Sequence, residues 1–269
     1  MVKGSRLAAL AIAAFALAAC ASKKDAYVDR PVEDLYNSAM DELNDSDYTK
    51  AVKDFDEVDR QHPYSVWATK AQLMSCYTLY QQGKYADSII AADRFIQLHP
   101  GHRDVAYAYY LKALDYYIQI ADVGRDQRTT QQALGALAEV ARRFPDTKYA
   151  RDARLKMDLA RDHLAGKEME IGRWYERQGD FLGAVNRFKR VVDDYQTTTH
   201  VPEALERLTE CYLALGLVDE ARRTTAVLGF NYPGSPWYVD TYGLVTNGGP
   251  NEPVAAPKGW LGRMVSSIF

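Results

Sequence analysis

The chain has 269 residues, with 33 Lys and Arg against 36 Asp and Glu, a formal net charge of −3, 47% hydrophobic residues and three Cys. That apolar share is too large for a disordered chain, and the mild acidity supplies no basic field for gripping nucleic-acid phosphates. Disorder and nucleic-acid binding are therefore not expected.

Residues 1–19 read as an address. Lys3 and Arg6 precede an uncharged run from Leu7 to Ala19 that is too short to span a bilayer, and small Ala18 and Ala19 stand where a signal peptidase must approach the backbone. Leu17-Ala18-Ala19-Cys20 resembles the bacterial lipobox, which implies that Cys20 is lipidated and becomes the mature N-terminus. Ala21 and Ser22 after that Cys, rather than Asp, imply sorting to the outer membrane. Buried acyl methylenes contribute about 0.8 kcal/mol each, so two or three chains hold a protein firmly at a membrane. The expected plan is a signal peptide at 1–19, a lipidated tether at 20–31, a helical body at 32–246, a Gly/Pro linker at 247–257 and an amphipathic segment at 258–269.

Through the body, apolar residues recur at helical spacing in a repeated order. Leu35, Ala39, Tyr48, Ala51, Phe55, Val58 and Pro63 form the first set; Cys76, Tyr85, Phe95 and Pro100 form the second. Ala113, Tyr116, Ala133, Leu137, Val140 and Pro145 form a third with an insertion. The most regular is Ile171-Gly172, Tyr175, Phe181, Ala184, Phe188 and Val191, where Gly172 lets a partner helix approach and Gly179-Asp180 marks the turn between helices. Leu205, Leu208, Tyr212, Ala221, Leu228 and Pro233 close the series.

This pattern resembles the tetratricopeptide repeat and implies an all-α, right-handed α-solenoid of about five helix pairs. The closing positions Pro63, Pro100, Pro145, Gln196 and Pro233 lie 37, 45, 51 and 37 residues apart, wider than the family's standard 34. A polar loop from Asp122 to Thr130 and an extra helical stretch from Ala150 to Ala165 account for the excess. Whether that stretch continues into Met169–Gln178 as one helix is left open by Gly166. Ser235-Pro236 reads as an N-cap and first-turn Pro of a capping helix reaching about Leu244. Cys76 and Cys211 fall in the second and fifth repeats, too far apart to bridge, and read as small buried residues.

Asn247 to Pro257 has linker composition, and beyond it Trp260, Leu261, Met264, Val265, Ile268 and Phe269 share one helical face. Two readings stand: a tail that packs on the solenoid, or a short helix that docks on a partner or a membrane.

No phosphate-binding loop, zinc-type His and Cys spacing or nucleophile elbow appears, so the sequence is read as a non-enzyme without metal or cofactor. His99 and His102 flank Pro100-Gly101 without acidic or Cys company. Tyrosine is the informative excess: nine of nineteen lie between Tyr64 and Tyr117. In tetratricopeptide proteins, fixed positions of each first helix line the concave side. The resemblance maps these positions to Tyr36, Met40 and Leu43; Leu73, Tyr77 and Tyr80; and Tyr107, Tyr110, Leu114 and Tyr117. Such a groove, aromatic and nearly uncharged, suits an extended peptide with aromatic side chains. The competing reading makes these rings ordinary core filling.

The combination of Cys20, five repeats, the stretch from Asp93 to Pro100, the stretch from Asp126 to Ala133 and the turn Phe144-Pro145-Asp146-Thr147-Lys148-Tyr149 resembles the BamD family, lipoproteins of the outer-membrane β-barrel assembly (BAM) machinery. The resemblance implies a lipid-anchored adaptor on the periplasmic face of the outer membrane. It would bind the POTRA domains of BamA, contact other BAM subunits, and receive unfolded outer-membrane β-barrel proteins. Arg187, Lys189 and Arg190 on one helix and Arg222-Arg223 on another are the expected POTRA contacts, with plain solvated faces as the alternative. A periplasmic repeat scaffold that regulates peptidoglycan synthesis is the rival function.

Overall fold

The computed structural model describes residues 29–246. The signal peptide, Cys20, most of the tether, the linker and the 258–269 segment lie outside the described residues. Among the described residues there are eleven helices and no strand: α1 Val32–Asn44, α2 Tyr48–Gln61, α3 Val66–Gln81, α4 Tyr85–Leu98, α5 Val105–Ile118, α6 Arg128–Arg143, α7 Lys148–Arg177, α8 Phe181–Asp194, α9 Val201–Ala214, α10 Val218–Asn231 and α11 Pro236–Thr246. Consecutive helices pack as antiparallel pairs, and α1, α3, α5 and α7 also touch in series. The architecture is an all-α tetratricopeptide-type solenoid.

The repeat is visible atom by atom. Every second helix buries the same stripe, at steps of four and then three residues: Ala51, Phe55 and Val58 in α2; Ser88, Ala92 and Phe95 in α4; Ala133, Leu137 and Val140 in α6; Ala184, Phe188 and Val191 in α8; Ala221, Thr225 and Leu228 in α10. That spacing places all three residues over one face of an α-helix. Where a polar residue enters the stripe its hydroxyl is satisfied within the fold, Ser88 donating to the Cys76 carbonyl at 3.0 Å and Thr225 to the Ala221 carbonyl at 2.9 Å.

The connections repeat as well. Each second helix ends on a residue with φ between −128° and −135°, namely His62, His99, Phe144, Tyr195 and Tyr232. The closing Pro or Gln follows at once. Within four of the pairs, the turn between helices passes through the left-handed region, at Gly83, Gly179 and Gly216 with φ near +77° and at Ser46 with φ 64°. Only Gly adopts that conformation without steric cost, which is why three of the four are Gly. Side chains of Asp47, Ser65, Thr147 and Asp180 then cap the helices that follow.

The third pair departs from this scheme, and the loop there is shorter than expected. Helix α6 begins at Arg128, so the first turn of the helix takes up Arg128 to Thr130. The remaining loop is fastened to α7: Lys167 Nζ donates to the Gly124 carbonyl at 3.1 Å, and His163 Nε2 donates to the Ala121 carbonyl at 2.6 Å. The open question at Gly166 is settled in favour of one 30-residue helix, α7. Its N-terminal half packs on α5 and α6 while its C-terminal half pairs with α8. A Cβ on Gly166 would approach Val123 and His200 at 3.4 and 3.3 Å, so this Gly makes room for the loop rather than breaking the helix.

The end of the tether is fixed to the solenoid. The Arg30 amide donates to Gln61 Oε1 at 3.1 Å, the His62 ring bonds the Arg30 carbonyl at 2.9 Å, and the guanidinium lies 3.5 Å from Asp54. Cys76 in α3 and Cys211 in α9 are buried free thiols, and burial pushes that of Cys76 up to about 12.

Candidate functional site

The face made by the first helices, α1, α3, α5, α7 and α9, carries two different chemistries in its two halves. In the N-terminal half the mapped residues form a ladder of rings. Tyr36 lies 4.9 Å from the Trp67 ring and 5.7 Å from Phe55, and Met40 and Leu43 pack on the same cluster. Tyr77 and Tyr80 pack over Cys76, Ala92 and Leu111. Tyr107 and Tyr110 converge on Tyr149 of α7, at 5.5 and 5.1 Å. The Tyr117 ring lies under the Lys156 ammonium at 5.6 Å.

Of the ten mapped residues only Leu73 is buried; the other nine are half-buried. They are at once filling between neighbouring first helices and wall of the face. Tyr109 points the other way, onto Phe144 at 5.3 Å, so the crowded tyrosines of α5 divide between two packing partners.

The expectation of few charges fails at α7. Asp152 accepts hydrogen bonds from the Tyr110 hydroxyl and from Lys156 Nζ. Partial burial works against its ionised form, and these two donors nevertheless hold its carboxyl below the usual range. Burial and the bond to Asp152 push the Tyr110 phenol up, keeping it a neutral donor. Tyr149, Asp152 and Lys156 escaped sequence reading because this part of α7 looked like an insertion rather than wall. The same surface continues past Tyr117 into an open cleft lined by Ile120, Val123, Leu159, His163 and His200.

In the C-terminal half the face is ionic. Glu176 of α7 and Glu203 and Glu210 of α9 pair with Arg207, Glu206 of α9 adds its charge nearby, and Arg173 lies alongside. Arg173 makes a two-pronged contact with Glu203, at 2.9 and 2.8 Å. Glu206 is 5% exposed, and one of its oxygens has no hydrogen-bond partner among the described residues. Burial, aggravated by Glu210, pushes its carboxyl up to about 8. Glu176, also buried, is pushed up to about 7 against the opposing pull of Arg207. Extending the ladder's register, three and four residues per step along α7 and α9, would have found Arg173, Glu176, Glu206 and Glu210 from the sequence.

The expected docking cations are partly committed inside the chain. Arg187 and Arg190 both bond Glu168 at 3.1 Å, bracing α8 against α7. Arg222 lies 3.6 Å from Asp219 and Arg223 2.9 Å from Glu220, both on the exposed side of α10, and Lys189 is exposed on α8. Trp260, Leu261, Met264, Val265, Ile268 and Phe269 lie outside the described residues. Among the described residues no group of three or more His, Cys, Asp or Glu is placed to hold a metal, and no helix is long and apolar enough to cross a membrane.

Residues 28–228 match the family model described as YfiO, outer membrane lipoprotein. A relative from Caulobacter vibrioides named outer membrane protein assembly factor BamD is 51% identical, covering 90% of this chain and 81% of the relative. Relatives of the same name from Rickettsia prowazekii and Neisseria meningitidis serogroup A are 46% and 37% identical, covering 90% and 82% of this chain and 96% and 89% of their own lengths. The chain belongs to the YfiO family of outer membrane lipoproteins, together with these BamD assembly factors.

Proposed function

We propose that this chain is a non-catalytic adaptor of outer-membrane β-barrel assembly, tethered to the periplasmic face of the outer membrane by lipid on Cys20. It docks on the POTRA domains of BamA and presents its ring-lined face to unfolded outer-membrane proteins. The observation that carries this reading is the 51% identity, over nine tenths of the chain, to a relative named as an outer membrane protein assembly factor. The half-buried ladder of Tyr36, Tyr77, Tyr80, Tyr107, Tyr110 and Tyr117 supports the substrate role. Rings anchored on one side and accessible on the other present rigid apolar area with a polar tip, at little entropic cost on binding.

Docking by the last two pairs is tested by reversing Lys189, Arg222 and Arg223 to Glu, which leaves the Glu168 clamp of Arg187 and Arg190 intact. The lipidated variant, extracted from membranes, is expected to lose BamA while keeping its helical circular dichroism. Undiminished BamA recovery overturns this docking site. Recovery of a penicillin-binding protein with the wild-type chain, and no BamA, returns the peptidoglycan scaffold.

A further inference from the structure

Helix α11 is a first helix without its second. Thirteen residues after each of the closing residues Pro63, Pro100, Gln196 and Pro233 stand Cys76, Ala113, Thr209 and Thr246, and Ala39 and Gly172 hold the same place in α1 and α7. Four residues before this place the side chain is covered by the second helix of its own pair. Leu35 is fully buried in the cluster holding Phe55 and Val58 of α2. Gln72 bonds His99 at the end of α4 at 2.7 Å, and Tyr109 meets the Phe144 ring at the end of α6. Glu168 is clamped by Arg187 and Arg190 of α8, and Leu205 is 3% exposed in the cluster holding Phe188 and Leu228. In α11 the same step gives Tyr242, which is 54% exposed, with Val239 one turn earlier at 68%.

The opposite side of α11 is complete. Thr241 is fully buried, and Trp237 and Tyr238 pack on the cluster of α9 and α10. The face that a following helix covers in the five preceding pairs is left exposed, as is Asp240 on another side of the helix.

We propose that residues 258–269 cover it, packing Trp260, Leu261, Met264, Val265, Ile268 and Phe269 on Val239 and Tyr242 and so closing a sixth helix pair within the same chain. Their apolar positions step by four along two adjacent rows, the spacing of a helical stripe that two exposed side chains one turn apart can receive. Reach permits it. Eleven linker residues, 247–257, span up to about 36 Å, whereas an eleven-residue helix such as α11 is about 16 Å long. A chain leaving Thr246 can therefore return antiparallel along α11 with slack to spare. Solenoids also need their last apolar face covered, and this segment is the nearest apolar stripe in the sequence.

The test places a photo-crosslinking amino acid at Tyr242 of the full-length lipidated chain in outer-membrane vesicles and maps the adducts by peptide sequencing. The expected adducts lie in residues 258–269 of the same chain and disappear in the Leu261→Asp, Val265→Asp variant. In that variant the amides of α11 should exchange at least tenfold faster than in the wild type. Adducts only to lipid or to another polypeptide overturn the proposal, as does α11 exchange indifferent to the two Asp. A failure here leaves the assembly role untouched, because the face in question is not the ring ladder.

Discussion

Phe188 of α8 lies flat over Gly172 of α7: a Cβ on Gly172 would sit 2.8 Å from ring carbon Cδ1 and 2.9 Å from Cζ. A fully buried Phe in a second helix fits because the first helix offers bare backbone at that point, and the small residues Ala39, Cys76 and Ala113 recur at the same register in other pairs. Gly172→Ala is thus expected to destabilise the protein although it raises helix propensity. Overpacking costs about 1–3 kcal/mol against a propensity gain of about 1 kcal/mol. Chemical denaturation reads the net loss, and a more stable variant would show that the ring shifts freely.

At Ser46 the opposite substitution should help. This residue holds φ 64° where the equivalent turns have Gly83, Gly179 and Gly216. Relieving a left-handed non-Gly residue recovers about 1–2 kcal/mol, less the added entropy of Gly in the unfolded chain. Ser46→Gly is therefore expected to raise the thermal midpoint by a few degrees, and a lowered midpoint contradicts the strain.

The buried carboxyls in the ionic half of the first-helix face contribute stability that falls as pH rises. Glu206 and Glu176 titrate near 8 and 7 in the folded chain, above their ordinary values. Between about pH 4.5 and 8 these two carboxyls hold more protons in the folded than in the unfolded state, so their contribution makes unfolding easier with rising pH across that window. Glu206→Gln keeps the shape and removes one titration. Its stability should decline less steeply from pH 5 to 8, by roughly 1 kcal/mol or more. An unchanged slope in urea titrations at both pH values would place the proton uptake elsewhere.

Much of this architecture is legible in the sequence because it is built from repetition. Five closing residues recur in one register, and their resemblance to the tetratricopeptide repeat implies the all-α solenoid, although the polar Ser88 and Thr225 hide part of two buried stripes. What was hidden is what periodicity does not encode. The unity of α7 depends on tertiary contacts of Gly166 with Val123 and His200, which outweigh the helix-weakening tendency of Gly. Arg187 and Arg190 read as surface cations, yet their partner Glu168 lies on another helix, and only the folded pairing shows them to be engaged. Likewise the half-burial of the tyrosines is decided by how closely α5 and α7 stack, which ring count and spacing do not determine.

Removing a single oxygen tests the structural role of Tyr110 in the ladder. Tyr110→Phe preserves the ring against Tyr149 and deletes the hydrogen bond to Asp152. A bond to a charged acceptor is worth about 1.5–3 kcal/mol, and partial exposure here brings the expected loss toward the lower end. Equilibrium unfolding of the two proteins measures it, and no loss of stability would mean that Asp152 is satisfied by Lys156 alone.

The most direct test of substrate receipt is a photo-crosslinker at Tyr77, carried by the lipidated chain in outer-membrane vesicles and challenged with an unfolded outer-membrane β-barrel protein. An adduct to that protein's chain is expected, competed away by an excess of a peptide with an aromatic C-terminus. Adducts confined to α1 and α5 of the same chain, with or without substrate, would contradict it and leave those rings as filling between helices.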